Sequence, residues 1–227
     1  MKNATINTST FEFLTKLEKN NNKAWFLENK EHYNSSQENV IKFIDQLLIL
    51  MSKHDLLENE SGKKSLYRIY KDVRFSKDKT PYNSHFSFGF RRATALRRGG
   101  YYFKLKPGNS FLACGFFSPN SEDLKRIRKD IDINFEEWHI FLDEIKANFS
   151  EIQGELVPTF PRGFDKNHPE IDLIRHKQFI LKYNFSDEEV FAPNFVEKVN
   201  DVFKSTRPFL DYLSFVLTSD SNGEITI

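Results

Sequence analysis

The stretch His85-Phe-Ser-Phe-Gly-Phe-Arg91 has a period of two, and that period decides the fold. In an extended chain Phe86, Phe88 and Phe90 fall on one face, while His85, Ser87, Gly89 and Arg91 fall on the other. One face is core and the other meets water or a ligand. The stretches 101–106 and 110–117 read as the next strands, with Pro107-Gly108-Asn109 as the hairpin turn between them. Before the pivot, 66–73 reads as a further strand. Connections this short imply antiparallel pairing.

Helices frame this sheet. Phe11, Leu14 and Leu17 share a helical face behind a cap at Thr8 or Ser9, and Asn20-Asn21-Asn22 ends that helix. A longer helix is expected from about Lys23 to Leu56, with Asn34-Ser35-Ser36 as its point of interruption. Past the sheet, Ser118-Pro-Asn-Ser-Glu122 caps a helix carrying Leu124, Ile127 and Ile131, and another follows over about 136–149. The stretch 154–169, punctuated by Pro158, Pro161 and Gly163, reads as an irregular loop. A helical turn at 171–175, a strand over 179–185 and a closing helix from Asn194, divided at Pro208, complete the chain. No repeat or linker divides it, so the expectation is one α+β domain over 1–227: a mainly antiparallel sheet flanked by N-terminal, middle and C-terminal helices.

Composition fits a folded domain built on phenylalanine. The chain has 227 residues with 24 Phe but only 2 Trp and 2 Met, and a chain of this size buries roughly 70% of its unfolded surface. The single cysteine, Cys114, excludes an intramolecular disulfide. With no basic-then-apolar leader and no long apolar run, a cytoplasmic address without membrane contact is expected.

Charge is distributed unevenly. Between Lys63 and Lys106 lie 13 Lys or Arg and two acids, Asp72 and Asp78, a net of +11 in a chain whose total is +1. A basic middle in an acidic frame points to an anionic ligand or nucleic acid. Arg68, Arg74, Lys77 and Lys79 ring one end of the expected sheet, with Ser76, Thr80 and Tyr82 as neutral donors. Arginine offers a planar fork to phosphate or carboxylate, and lysine a mobile point charge. The same residues also read as a self-bonded turn, with Asp78 and Ser76 on their own backbone and Asp72 on Arg74 or Arg68.

Four segments carry a resemblance: "NNNKAWF" (20–26), "SLYRIYKDVRFSKDKTPY" (65–82), "GFFSP" (115–119) and "FPRGFDKNHPEIDLIRHKQF" (160–179). Together they resemble the Domain of Unknown Function 2461 family of bacteria and fungi, over about 11–217. The resemblance implies a family and no activity. Where the family pattern has Arg-Asp this chain has Lys71-Asp72, and where it has Lys-Thr-His this chain has Asn83-Ser84-His85. The last segment adds Asp165, His168, Arg175, His176 and Lys177 as candidates, in a loop rich in glycine and proline. Pro169 and Asp172 equally read as helix-start chemistry.

Gly-rich nucleotide loops, a GxSxG elbow, CxxC pairs and an HExxH helix are absent from the sequence, and no cofactor is implied. Imidazole and carboxylate at Asp72, Asp165, His168 and His176 suit a transition metal, yet their spacing alone assigns none. Three functions remain open. The first is a binding module for phosphate-bearing ligands or nucleic acid, in which Arg91, Arg92, Arg97 and Arg98 flank a finger, 93–96, and Tyr82, Tyr101 or Tyr102 stacks on bases. The second is an enzyme on a small phosphorylated or carboxylated substrate, with Arg68, Arg74 and Lys79 as clamp, and Arg175 and Lys177 beside them, while Asp72, His85 or His168 moves protons. The third is an interaction protein whose basic loop docks an acidic partner.

Overall fold

Helix α1 (Thr8–Lys19) buries Phe11, Leu14 and Leu17, the stripe its sequence spacing predicts, together with Phe13, but it begins one or two residues earlier than expected, with Asn7 at the N-cap. The computed structural model describes residues 4–146, 149, 151–220 and 223–225. Asn22 caps α2 (Lys23–Glu28) by accepting from the Trp25 amide at 3.0 Å. The expected long helix is then broken at Asn29, whose side-chain amide donates to the Trp25 carbonyl at 2.9 Å, and α3 runs Lys30–Met51. Asn34, Ser35 and Ser36 sit inside α3 without interrupting it, because Tyr33, Ser36, Val40 and Phe43 continue one buried face. A single turn, α4 (Gly62–Ser65), follows.

Strand β1 (Phe86–Arg91) alternates as its sequence predicts: Phe86, Phe88 and Phe90 are each at most 2% exposed. Strands β2 (Gly100–Leu105) and β3 (Ser110–Phe116) follow across the turn at 107–109. Helix α5 (Ser121–Ile133) is capped by Asn120, which accepts from the Glu122 and Asp123 amides. Helix α6 is Phe135–Lys146, and positions 147 and 148 of the helix expected there lie outside the described residues. After the irregular loop come α7 (Ile171–Ile174), β4 (Phe179–Phe185) and the one-turn helix α8 (Asp187–Phe191). The closing helix is divided into α9 (Phe195–Ser205) and α10 (Arg207–Thr218), with Pro208 in the first turn of α10, where its missing N–H costs nothing. The four strands form one antiparallel sheet in the order β1-β2-β3-β4, so the fold is α+β.

The expected strand over 66–73 does not form as a regular strand. Leu66 bridges to Phe88 and Tyr70 to Tyr82, with isolated backbone bonds from Tyr67 to the Ser87 carbonyl and from Lys71 to that of Pro81, both 2.9 Å. Past them, the side chains of Asp72, Ser76 and Asp78 bond the amides of Arg74, Asp78 and Thr80, so the chain turns away there instead of extending a ladder.

Cα packing groups the chain into two compact units. The first spans 1–90, 102–112 and 184–201. Its core is a ring cluster in which Phe103 lies 5.1 Å from Phe88 and 6.2 Å from Phe43. These contacts set α3 against the buried face of β1 and β2. The second spans 91–101, 113–183 and 202–227. There Trp138 is fully buried and its indole N–H donates to Asp130 at 2.8 Å.

Cys114 is fully buried in the second unit, and burial pushes its thiol up to about 12 despite a hydrogen bond from Thr206. Only the thiolate reacts with disulfide reagents. Native protein should therefore leave Ellman's reagent unreacted over hours at pH 8, and denatured protein should titrate one thiol per chain. Rapid labelling without denaturant would contradict this burial.

Candidate functional site

Most of the basic segment 71–80 is bonded to itself. Arg74 forms a fork on Asp72, with Nε donating to Oδ1 at 2.9 Å and Nη2 to Oδ2 at 2.6 Å. Those bonds hold the Asp72 carboxyl below its usual range. Lys71 Nζ donates to Asp78 Oδ2 and to Thr80 Oγ1, both at 2.8 Å, and with the Thr80 bonds it keeps Asp78 far below the ordinary carboxylate range. Lys79 Nζ donates to the Val73 carbonyl at 3.0 Å. Among the described residues Arg68 and Lys77 are exposed and make no hydrogen bond or ion pair.

Tyr82 belongs to the core. It is 4% exposed, its ring stacks on Phe26 at 4.0 Å, and its backbone N–H and C=O are both bonded to the Asn21 side chain, at 3.1 and 2.8 Å. Two of the segments that carry the family resemblance are thus a clasp. A second clasp joins the other two: Gln178 Nε2 donates to the Phe117 carbonyl at 2.8 Å.

The four arginines around 93–96 divide in two. Arg92 is buried, paired with Asp211 and bonded to Ser214 Oγ and the Arg98 carbonyl, both at 3.2 Å. Arg98 pairs with Asp123 at the start of α5. These two tie helices to the sheet, while Arg91 is exposed and Arg97 half-buried.

The segment 165–177 lies in the second unit and is also heavily bonded. His168 Nδ1 accepts from the Glu170 amide at 3.0 Å, which puts its proton on Nε2, 3.8 Å from Asp132. Asp165 accepts from the Asn167 amide at 2.9 Å. Arg175 donates to Asp172 at 3.1 Å and twice to the Val157 carbonyl at 3.2 Å, and Lys177 pairs with Glu155 at 3.3 Å. Burial lowers the pKa of His176. Among the described residues no group of three or more His, Cys, Asp or Glu side chains is placed to hold a metal ion.

His85 sits differently. It precedes β1, on the same edge of the pleat as Ser87, and faces lysines: burial first, then Lys104, Lys106 and Lys71, bring its pKa down to about 4. It is a neutral imidazole within the field of three lysines. Beside it the outward face of the sheet carries aromatic rings. Tyr67 and Tyr102 stack at 6.3 Å and 24°, Phe111 lies 5.9 Å from Tyr102, and Lys104 Nζ lies 5.6 Å above Phe111. Tyr102 hydrogen-bonds to Ser87, and burial raises its phenol pKa. Tyr67 is 54% exposed. Of these positions the sequence reading had picked out His85 and Tyr102. Lys71, Lys104 and Lys106 count in the basic middle without being singled out, and the alternation of β2, which puts Tyr102 and Lys104 opposite the buried Phe103 and Leu105, is the signal that could have picked out Lys104.

A family model described as conserved hypothetical protein (DUF2461) matches residues 9–212. The chain belongs to this family. No curated protein and no solved structure matches it. Membership in the DUF2461 family covers both units and all four resembling segments, of which two meet at Tyr82 and two at Gln178. Among the described residues no helix is long and apolar enough to cross a membrane.

Proposed function

We propose that the chain binds single-stranded nucleic acid on the outward face of β1, β2 and β3. The observation that carries this reading is the row of Tyr67, Tyr102 and Phe111 beside the lysines that surround His85. Bases stack on accessible rings at about 1–3 kcal/mol each, without regard to sequence, and lysines alongside take the phosphates; here Tyr67 is exposed and Tyr102 and Phe111 are half-buried. Lys71 and Lys106 have carboxylate partners, Asp78 and Glu18, each at least half exposed. Such pairs are weak and exchange readily for a phosphate. The enzyme reading has less behind it, since Asp72 is engaged by Arg74 and both ring nitrogens of His168 face partners.

The test is fluorescence anisotropy with a labelled ten-nucleotide oligo(dT). Binding at 50 mM salt is expected, with Tyr102→Ala weakening it about 10- to 100-fold. Three phosphate contacts would make affinity fall about twentyfold between 50 and 200 mM salt, and Lys104→Glu would flatten that dependence. Polyglutamate serves as competitor. If it binds as tightly as the oligonucleotide and Tyr102→Ala changes nothing, an acidic protein partner replaces nucleic acid. No binding to either at low salt removes the proposal.

A further inference from the structure

The second unit holds a cavity of about 560 Å³ between α5 and the loop 157–164. That volume lies within the range of small-molecule sites. Its cations are Lys125, Lys129 and Arg162, all exposed and without an ion pair or hydrogen bond among the described residues. Lys125 and Lys129 are four residues apart on α5, so they share a face and repel one another when the cavity is empty. Arg128 also lines the cavity, but its guanidinium is spent on the carbonyls of Ile174 and His176, at 2.7 and 3.0 Å. The one acid in the lining is Asp132.

The opposite wall, the loop 157–164, carries Arg162 together with apolar side chains. Phe160 and Phe164 line it, and Phe160 is 50% exposed. Arg175 lies 5.8 Å from the Phe160 ring centre and is fixed by its two bonds to the Val157 carbonyl, so the ring is backed on one side. A cationic end, two aromatic rings and a single carboxylate acceptor in one cavity of this size describe the receptor of a molecule with a matching anionic end, planar ring and donor group.

We infer that this cavity binds a nucleoside monophosphate. The phosphate sits among Lys125, Lys129 and Arg162, the base lies against Phe160 and Phe164, and Asp132 accepts from a sugar hydroxyl or an exocyclic amine. Its residues belong to α5 and the loop 157–164, and none of them is among those named for the sheet face.

Isothermal titration of the full chain with AMP, CMP, ribose 5-phosphate and adenosine at 50 mM salt tests it, with amide spectra to locate the shifts. AMP and CMP should bind, with shifts at Lys125 and Gly163. Ribose 5-phosphate and adenosine should each bind at least tenfold more weakly, one lacking the ring and the other the phosphate. The double variant Lys125→Ala/Arg162→Ala should lose at least tenfold in AMP affinity, and Phe160→Ala at least fivefold. Both alter exposed side chains, and unchanged thermal midpoints check their folding; if Phe160→Ala misfolds, the lysine–arginine pair decides alone. Ribose 5-phosphate binding as tightly as AMP overturns the assignment of the ring. Absence of AMP binding, or AMP binding unchanged in Lys125→Ala/Arg162→Ala but lost in Tyr102→Ala, overturns the site.

Discussion

Gly115→Ala should cost about 3–5 kcal/mol, enough to unfold a domain of ordinary stability at a modest urea concentration. Two effects add at this position. Its φ is +132°, a conformation that side chains rarely adopt. A Cβ built there would also lie 2.0 Å from the Phe179 carbonyl oxygen and 3.1 Å from the Ile180 Cα, both backbone atoms of the neighbouring strand that cannot step aside alone. Gly108→Ala supplies the comparison. Its φ is +69°, but nothing lies within 4 Å of the added carbon, so only the conformational cost of about 1 kcal/mol applies. Urea unfolding of both variants separates the terms. Equal losses would mean that β3 and β4 do not approach as closely as described.

The second large effect is on His85. Its imidazole should titrate near pH 4 in the free protein, where an unperturbed histidine titrates near 6.5. Followed by the Cε1–H signal in nuclear magnetic resonance and assigned with His85→Gln, it should remain neutral through pH 6. Filling the space between Lys71, Lys104 and Lys106 with a phosphate replaces repulsion by attraction, and an opposite charge at that range raises a pKa by about 1–3 units. Oligo(dT) should therefore move the His85 midpoint upward, and a midpoint unmoved by saturating oligonucleotide would place the ligand elsewhere. The sign for stability follows from the same shift. Above pH 6.5 both folded and unfolded chains hold a neutral His85. As pH falls from 6.5 towards 4 the unfolded chain takes the proton and the folded one does not, so stability is lost across that window. Solvent screening of a partly buried ring leaves about 1 kcal/mol of this. Burial lowers the pKa of His176 as well, so only a residue-resolved titration isolates His85.

The sheet was legible because alternation is a local property. Phe86, Phe88 and Phe90 reveal their face without reference to anything distant, and so do the strands on either side of Gly108. The segment 66–73 has the same aromatic and β-branched composition, yet it makes only isolated bridges, and just beyond them Asp72, Ser76 and Asp78 fix the amides of Arg74, Asp78 and Thr80 in turns. Such turn bonds are invisible to a strand pattern. The break at Asn29 was missed in favour of Asn34 because Asn and Ser inside a helix resemble a stop until the buried face running through Ser36 is known. One-turn helices such as α4 and α8 are too short for any period to register.

The candidate site was legible in charge and not in geometry. Sequence reading found the basic middle but had no means to rank its cations. Whether an arginine is a receptor or a strut depends on what lies far along the chain. Arg92 meets Asp211 and Ser214, and those partners are separated from it by 119 and 122 residues. Arg74 is the opposite case, neutralised by a neighbour two positions away, which the self-bonded reading of the loop had anticipated. The lysines around His85 become a set only when β1 and β2 lie side by side.

Strands β3 and β4 are neighbours in the sheet, yet everything from Phe117 to Gln178 intervenes between them. Closing so long a loop is entropically slow, whereas β1, β2 and β3 are joined by short connections and pair early. A chain emerging from the ribosome thus passes through a stage with three strands in place and β3 as a bare edge. That edge reads Phe111-Leu-Ala-Cys-Gly-Phe116, six residues without charge or proline. Until β4 arrives, this segment is the natural template for pairing with a second nascent chain. The order of the strands therefore places the molecule's greatest hazard of self-association in its synthesis, before the last third of the sequence has been made.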